Sequence, residues 1–451
     1  MRALLCTPLL LAATAALAAP APPPHTIPPP RELWAINASF ASGGLASLDG
    51  RRLCTVYYTY KDNEEGHITY IVPPTLACFD TATGVRFFEK TGADIATPGD
   101  ALLWVDSDLL FTAHSFKDAR GRDATVLLAI DANTGVVRYT RANVTGSTDD
   151  GPFTDANFVA SKSQDLAALR LSADTVGVMV RSTGQLLWSK QFPGSTGFPL
   201  GFLAGFCLAD ATGVLIISSS QAHGSVQAFA LSDGAPLWNV TDLGMPLANA
   251  GCEFYAGETI VRLSIFVPPA EGQEHNYNFF VAVTGTGPRM RRDTQCAYRV
   301  NDTTCATVSD ATGGAYYDVA TGRSLLAANI TVPHWGCPAW PAAFNGSRFL
   351  VGGANDKGVT LYDTPSNGGT PTAVWNNPNY FGYGCLVVAP TYIAEPNVGD
   401  YQYIRLMSLA TGDFCWQIHV SWNDDPSYGY TASHVIVRNV GGVGMRVYPA
   451  C

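Results

Sequence analysis

A short pattern returns along this chain at steps of about 50 residues, and it constrains the fold more than any other feature. Each copy has a run of alternating apolar residues, a turn that contains glycine, and a second run that in most copies ends in an aromatic residue. The turn glycines of the first four copies are Gly84, Gly135, Gly184 and Gly234, which are 51, 49 and 50 residues apart. Such regularity indicates an array of one structural unit.

Seven copies are complete, and an eighth is diverged. The complete copies are ACFDTATGVRFF (77–88), LAIDANTGVVRY (128–139), VMVRSTGQLLW (178–188), QAFALSDGAPLW (227–238), YYDVATGRSLL (316–326), LYDTPSNGGTPTAVW (361–375) and RLMSLATGDFCW (405–416). The diverged copy is FFVAVTGTGPRM (279–290).

Each copy predicts two strands joined by a tight turn. Alternating apolar residues are typical of half-buried strands, and glycine allows the positive φ that such a turn requires. A further apolar segment precedes each copy, such as DALLWVDSDLLFTAH (100–114), and it is long enough for two more strands. Four strands per repeat make the blade of a β-propeller.

The two ends of the chain supply another blade. SHVIVRNVGGVGMRVYP (433–449) predicts its first strands and ELWAINAS (32–39) its last, which closes the ring and removes the free edges of an open array. We therefore predict an all-β fold with a single propeller of four-stranded blades over residues 31–451. Eight blades are favoured. Seven is the alternative, because the interval from Gly234 to Gly322 is irregular and holds either one blade with an insertion or two short ones.

The N-terminal residues predict export. MRALLCTPLLLAATAALAA has one basic residue at Arg2, a short apolar core and a small-x-small pattern at Ala16–Ala18, so residues 1–18 are predicted to be a signal peptide. The proline-rich segment 19–30 is predicted to be an extended linker, with a proline-binding recognition site as the alternative. We expect a secreted protein with no membrane span, since no later run approaches the roughly 20 apolar residues that a membrane helix needs.

Cysteine usage agrees with export. Of the 11 cysteines, Cys6 lies in the predicted signal peptide, and the remaining ten form the even number that a full set of disulfides requires. The sequence does not determine which cysteines pair with each other. Neighbouring order alone suggests Cys54 with Cys78, Cys207 with Cys252, Cys296 with Cys305, Cys337 with Cys385, and Cys415 with Cys451.

Six Asn-x-Ser/Thr sequons predict a glycosylated surface, at Asn37, Asn143, Asn239, Asn301, Asn329 and Asn345. Charged residues make up only 14% of the chain. The net charge of −10 argues against a nucleic acid or an anionic membrane as the partner.

The repeat resembles the tryptophan-docking motif of the quinoprotein alcohol dehydrogenase-like propellers, the pyrroloquinoline quinone (PQQ) repeat, whose pattern is roughly Ala-x-Asp-x-x-Thr-Gly-x-x-x-Trp. The matching residues are Asp131, Thr134, Gly135 and Tyr139; Thr183, Gly184 and Trp188; Gly234 and Trp238; and Thr411, Gly412 and Trp416. The resemblance implies that the terminal aromatic residue docks on the adjacent blade. It assigns that structural role to Tyr139, Trp188, Trp238, Trp375 and Trp416.

Catalytic members of that family combine two adjacent cysteines, an acidic base, and carboxylate or amide ligands to Ca²⁺. No two cysteines of this chain are adjacent, and there is no Cys-x-x-Cys-His haem attachment motif. The same propeller also serves in non-catalytic proteins, including a bacterial outer-membrane assembly lipoprotein. We therefore expect no cofactor; PQQ with calcium belongs only to an oxidoreductase alternative.

Other polar clusters are weak candidates for chemistry. The acidic loops KDNEEG (61–66), STDDGPFTD (147–155, with Asp149, Asp150 and Asp155) and SWNDDPSYG (421–429) lack the spacing of a calcium loop and predict solvated turns. The histidines of the folded part form no zinc pattern: His67, His114, His223, His275, His334, His419 and His434.

Two further segments complete the candidates. PHWGCPAW (333–340) predicts either a ligand-binding mouth or an inter-blade loop held by Cys337. GTGPRMRRD (285–293), with Arg289, Arg291 and Arg292, predicts a solvated or protease-sensitive loop. There is no Gly-x-Ser-x-Gly nucleophile motif.

The sequence therefore assigns no catalytic residue, metal ligand or cofactor ligand. It favours a secreted, glycosylated, disulfide-bonded propeller that binds an extracellular protein or glycan and is not an enzyme. The alternatives are a diverged quinone- or metal-dependent oxidoreductase, and a carbohydrate-active propeller that is a hydrolase or a lectin.

Overall fold

The computed structural model describes the folded part of the chain in segments. They are 29–38, 40–41, 45–47, 49–62, 68–98, 100–117, 123–141, 157–172, 174–192, 203–219, 225–240, 249–255, 257–267, 275–283, 291–293, 298–299, 303–307, 314–319, 323–330, 348–352, 358–363, 372–378, 387–397, 403–419, 427–440 and 443–451. The predicted signal peptide and most of the predicted linker lie outside these residues.

These residues form nine antiparallel sheets, most of which follow the order of the chain. One has five strands, β2 to β6: Phe40–Ala41, Leu45–Ala46, Arg52–Asp62, Ile68–Asp80 and Arg86–Thr91. Three regular sheets follow. They are β7 to β10 (Ala101–Val105, Leu109–Lys117, Asp123–Asp131, Val137–Arg141), β11 to β14 (Phe158–Ala160, Leu166–Ser172, Thr175–Val180, Leu186–Gln191) and β15 to β18 (Leu203–Ala209, Val214–Ser219, Ser225–Ala230, Pro236–Val240).

The second half of the chain adds four more sheets before the last. They are β19 to β22 (Asn249–Tyr255, Ile260–Val267, His275–Ala282, Arg291–Asp293), β23 to β26 (Tyr298–Arg299, Thr304–Thr307, Gly314–Asp318, Ser324–Ile330), the three-stranded β27 to β29 (Arg348–Gly352, Val359–Asp363, Thr372–Asn377), and β30 to β33 (Val387–Val388, Tyr392–Asn397, Tyr403–Ser408, Phe414–His419). The last sheet joins β34 to β36 (Ser427–Tyr430, His434–Val440, Val443–Pro449) to β1 (Trp34–Ile36).

The all-β propeller of four-stranded blades is confirmed. Among the described residues, seven sheets have four strands each, and seven is the number of blades in the alternative prediction. One further sheet has five strands and another has three, so these two depart from the regular blade. The seven four-stranded sheets agree with the seven-blade alternative rather than with the favoured eight, and the diverged copy 279–290 was not among the complete copies. Its first strand is β21, in a separate sheet, so two sheets share the interval after Gly234.

The ring is closed by the two ends of the chain, as predicted. Trp34 pairs with Val447 and Ile36 with Met445 in an antiparallel register. The innermost strands β3, β7, β11, β15 and β19 contact one another in turn, and β34 contacts β3. The last strand of each blade, which in most blades contains the aromatic residue of the repeat, is therefore the outermost.

The core lies between adjacent sheets rather than at the centre of the ring. Leu109, Phe111 and Leu127 of one sheet pack with residues of the next, among them Leu169 and Met179. Both faces of a blade are covered in this way, which is why its middle strands are almost continuously apolar.

The turn motif is held by its own side chains. The Asp131 carboxylate accepts a hydrogen bond from the Arg138 guanidinium at 2.7 Å and from the backbone N–H groups of Asn133 and Thr134 at 3.0 and 2.9 Å. The bond from Arg138, with those from Asn133 and Thr134, lowers the pKa of Asp131 to about 2. The carboxylate is therefore ionised and fixes the turn at any physiological pH.

The terminal aromatic residues contact the next blade. The Trp188 indole N–H donates to the Leu231 carbonyl at 2.8 Å, and a Cβ atom at Gly234, whose φ is 71°, would lie 2.8 Å from the Trp188 ring. Glycine is thus required there both by φ and by the ring. Corresponding donors and acceptors are Trp34 with Thr81, Tyr139 with Arg181, Trp238 with Val283, Trp375 with Leu409, and Trp416 with Pro449.

Three disulfides are present in the described part of the chain. Cys54–Cys78 joins two strands of one sheet, Cys207–Cys252 joins the innermost strands of two adjacent sheets, and Cys415–Cys451 fastens the C-terminal residue to β33. Cys305 is also disulfide-bonded, while Cys296, Cys337 and Cys385 lie outside the described residues. Among the described residues no helix has the length and apolarity to cross a membrane.

Candidate functional site

The hairpin of β4 and β5 is much longer than the strand beside it. The two strands have 11 and 13 residues, whereas β6 has six and pairs only with Thr75–Phe79. Residues 58–62 and 68–74 therefore extend past β6, and we call them the projecting ribbon; at its base Tyr58 also pairs with Phe40 of β2. Backbone that leaves the packed ring in this way is available to a partner.

Three tyrosines lie together on the projecting ribbon. Tyr58 meets Tyr70 edge to face at a ring-centroid distance of 5.6 Å, and Tyr60 lies 6.1 Å from Tyr58. Tyr60 and Tyr70 are each 40% exposed, and Ile71 is 64% exposed. We call Tyr58, Tyr60 and Tyr70 the tyrosine cluster.

The strand pattern shows which way the tyrosine cluster faces. Cys54 and Val56 of β4 pack with Leu110 of the neighbouring β8. Side chains two residues apart on a strand share a face, so Tyr58 and Tyr60 also face the next sheet. By the same alternation His114 of β8 faces the sheet that carries the cluster.

His114 and Phe116 lie on the face of β8 that is turned toward the sheet with the tyrosine cluster. Their rings stack with a centroid distance of 6.2 Å and an interplanar angle of 13°. Phe116 is 38% exposed, whereas His114 is buried. The facing surfaces of the first two sheets therefore both carry aromatic side chains at this end.

A buried ion pair holds the connection between the two sheets. His114 Nδ1 lies 2.9 Å from Asp100 Oδ2, and both side chains are buried. The Asp100 carboxylate also accepts hydrogen bonds from the Thr97 backbone N–H at 2.8 Å and the Thr97 hydroxyl at 2.6 Å. Burial alone lowers the pKa of His114, but the hydrogen bond and charge of Asp100, with contributions from the Ala93 backbone and Asp94, outweigh it and raise that pKa above its ordinary value.

This shift predicts a pH dependence with a definite sign. Because the pKa of His114 is raised in the folded state, the protonated pair stabilises the fold fully below the unfolded pKa, about 6.5, and this contribution is lost as pH rises through the folded value. We expect the free-energy difference between the wild type and His114→Gln, measured by urea unfolding, to shrink from pH 5.5 to pH 8.5.

His434 provides a control of opposite sign. Burial lowers the pKa of His434 and the charge of Asp80 only partly offsets it. The wild type should therefore gain stability relative to His434→Gln as pH rises across the same range. If His114→Gln and His434→Gln changed with pH in the same direction, the ion pair with Asp100 would not be the cause.

The opposite face of the ring is built from turns that bind one another. Asp210 accepts hydrogen bonds from the backbone N–H groups of Lys162 and Ser163, both at 3.1 Å. Glu258 accepts one from the Ala211 N–H at 2.6 Å. These acidic residues link turns of successive blades, so their hydrogen bonds contribute to the structure of the ring and not to a binding site.

The structure places only some of the predicted site residues. Asn37 and Asn239 are exposed, Asn329 lies in β26, and the other sequon asparagines lie outside the described residues. Also outside are Asp149, Asp150, Asp155, His67, His223, His334, Arg289 and the segment 333–340. Arg291 and Arg292 lie in β22, His275 in β21, and His419 and His434 in β33 and β35.

Nothing among the described residues assigns a quinone–calcium centre. Within this part of the chain no three His, Cys, Asp or Glu side chains come together as metal ligands. Cys54 and Cys78 are partners across two strands, not neighbours in sequence. We assign no step to a quinone.

The tyrosine cluster and Asp100 were not singled out in the sequence. The sequence signal for the tyrosine cluster lies in the first repeat. There the segment RLCTVYYTYKDNEEGHITYIVPPTLACFD (52–80) is longer than the corresponding strands elsewhere and contains four tyrosines. The partnership of Asp100 with His114 had no signal, because it depends on how the inter-blade connection folds.

Comparison with known proteins gives only distant structural similarities. No known sequence family and no curated protein matches the chain. Similar solved structures include BamB from Moraxella catarrhalis, with 12% identity and a TM-score of 0.41 over 93% of this chain and 99% of that one. A quinohemoprotein alcohol dehydrogenase from Comamonas testosteroni has 12% identity and a TM-score of 0.45 over 93% and 76%. Sqt1 from Saccharomyces cerevisiae has 11% sequence identity and a TM-score of 0.47 over 93% of this chain and 97% of that one.

Proposed function

We propose that this chain is an extracellular, N-glycosylated β-propeller that binds a protein partner through the tyrosine cluster. The observation that carries the proposal is an exposed aromatic surface on a ribbon that extends past its own sheet. Tyr60 and Tyr70 present large rings to solvent, and Ile71 beside them is the most exposed large hydrophobic residue described.

The chemistry of this surface favours a protein. Tyrosine is enriched at protein interfaces because its ring contributes a large contact area, has few rotatable bonds and ends in a hydroxyl group. Tyr58 supports the other two from below: burial raises the pKa of its phenol, with smaller contributions from Tyr70 and Tyr60. A ribbon that carries an exposed aliphatic side chain beside its tyrosines suits a protein surface better than a sugar ring.

Several features support an extracellular setting. Disulfides persist in oxidising compartments, and three cysteine pairs are bonded in the described residues. The exposed sequon asparagines Asn37 and Asn239 are accessible to modification. We assign residues 1–18 to a signal peptide, 19–30 to a linker and 31–451 to the propeller, and place the chain among the PQQ-repeat propellers on the aromatic docking described above.

The proposal is tested by a double substitution on the ribbon. Tyr60→Ser/Ile71→Ser removes exposed side chains and should leave stability nearly unchanged. We expect it to weaken binding to a partner by about 30-fold or more, since a truncated anchor residue typically costs about 2 kcal/mol. Binding is measured by screening the secreted protein against arrays of extracellular protein domains and of glycans in parallel.

A matched control is Leu187→Ser/Leu237→Ser. These side chains are exposed to a similar degree, 43% and 47%, but lie on outermost strands of other blades. The control variant should bind as the wild type does. Binding to glycans alone would assign the ribbon to a lectin, and binding unchanged by the ribbon variant would contradict the proposed site.

A further inference from the structure

Within the described part of the chain, the outermost strand of each sheet pairs on one side only. β1 pairs only with β36, β18 only with β17, and β26 only with β25 in their sheets. Such an edge presents unpaired backbone N–H and C=O groups to any other extended chain, and soluble proteins usually blunt it with charge, proline or a covering segment.

The outermost strands differ in charge: β6, β10, β14 and β22 contain charged residues, whereas β1, β18 and β26 contain none. Several of them also carry exposed apolar side chains. The exposed large hydrophobic residues of the outermost strands and the turns that lead into them are Val85, Phe87, Val136, Val137, Leu186, Leu187, Leu237 and Val374. The perimeter therefore combines free edges with apolar surface, which together favour edge-to-edge association.

The sequons fall on these strands. Asn239 lies in β18, two residues after Leu237, and is exposed. Asn37 directly follows β1 and is exposed, and Asn329 lies in β26. All three sequon asparagines that the structure describes are thus on an outermost strand or at its end, although strands nearer the centre make up most of each blade.

We propose that N-linked glycans at Asn37, Asn239 and Asn329 cap the outer edges and keep the propeller monomeric. An added strand would place its side chains about 5 Å from those of the edge strand, and the first sugar of a glycan occupies that space. The glycan also covers apolar neighbours such as Leu237. The inference rests on the extracellular part of the proposed function and leaves the tyrosine cluster free.

The test uses the folded, secreted protein, because glycans that are removed after folding cannot affect the folding itself. Mass spectrometry of glycopeptides should show occupancy at the three asparagines. Enzymatic removal of the glycans should then raise the apparent mass, measured by light scattering during size-exclusion chromatography over a concentration series, by about twofold or more, the mass of a dimer or larger. The untreated protein should remain monomeric.

Substitutions identify the surface responsible. Asn37→Gln/Asn239→Gln/Asn329→Gln should self-associate without enzyme treatment, whereas Asn301→Gln/Asn345→Gln should stay monomeric. Leu187→Lys/Leu237→Lys, which adds a charge to each of two outer strands, should reduce the association of the deglycosylated protein.

Three results would overturn the proposal: unoccupied sequons at these positions, a deglycosylated protein that stays monomeric, or association that the lysines do not reduce. Partner binding through Tyr60 and Ile71 is measured separately in the array experiment. A failure there with the edge effect intact would contradict only the assigned binding site.

Discussion

Replacing Trp188 with alanine is expected to lower the free energy of unfolding by about 3 kcal/mol. The Trp188 ring packs against the turn of the next blade, where it contacts Gly234 and lies near Phe229 at a centroid distance of 6.3 Å. Alanine would leave a cavity between two blades and remove the donor to the Leu231 carbonyl. Urea unfolding followed by tryptophan fluorescence and circular dichroism measures the loss.

Two controls separate the docking contact from a general effect of substitution. Trp188→Phe keeps most of the ring but not the N–H, so it should cost less, about 1 kcal/mol for the hydrogen bond plus a smaller packing loss. Leu187→Ala changes the exposed preceding residue and should stay within about 0.5 kcal/mol of the wild type. Partner binding of the folded Trp188→Ala protein should persist. A stable Trp188→Ala variant that lost binding would contradict the structural role of this residue.

Replacing Ile36 with aspartate is expected to lower stability by about 4 kcal/mol or more, or to prevent secretion of folded protein. Ile36 is 8% exposed and packs with Leu53, Met445 and Val447, where the two ends of the chain meet. A carboxylate there has no partner in the apolar cluster. Because β1 contributes only three residues to the closing sheet, its loss frees the edge of β36.

Leu33→Asp is the matched control. Leu33 lies just before β1 and is 38% exposed, so the same carboxylate at this position remains in water. We expect it to change the urea midpoint only slightly. Equal losses from Ile36→Asp and Leu33→Asp would show that the closing strand contributes little to the stability of the ring.

Much of the fold could be predicted because its signals are local and repeated. The glycine at the turn, the alternating strand before it and the aromatic residue after it all lie within about a dozen residues, and each copy supports the others. The closing blade was predictable for the same reason, since 433–449 and 32–39 complete the pattern at the two ends. The diverged copy at 279–290 was harder to place, because it lies in the irregular interval between Gly234 and Gly322, where the 50-residue spacing is lost.

The candidate site could not be predicted in this way. Its residues come from a hairpin longer than the repeat requires and from the connection to the next blade. Asp100 and His114 look ordinary in the sequence, and only their 2.9 Å approach produces a buried ion pair. The exposure of Tyr60 and Tyr70 likewise depends on where β6 ends, which the spacing of tyrosines does not indicate.

The sequence by itself therefore determined the repeating unit, its turns and the closure of the ring, because backbone conformation and strand alternation depend on neighbouring residues. Only the tertiary structure decided which side chains meet and how far each strand lies from the centre. Trp188 reaches a carbonyl 43 residues away, and Asn37, Asn239 and Asn329 share the perimeter although they are far apart in the chain. The distance of a residue from the centre of the ring follows from the order of strands within a blade, and contacts between distant residues follow from the packing between blades. No local pattern of residues encodes the strand order or the packing.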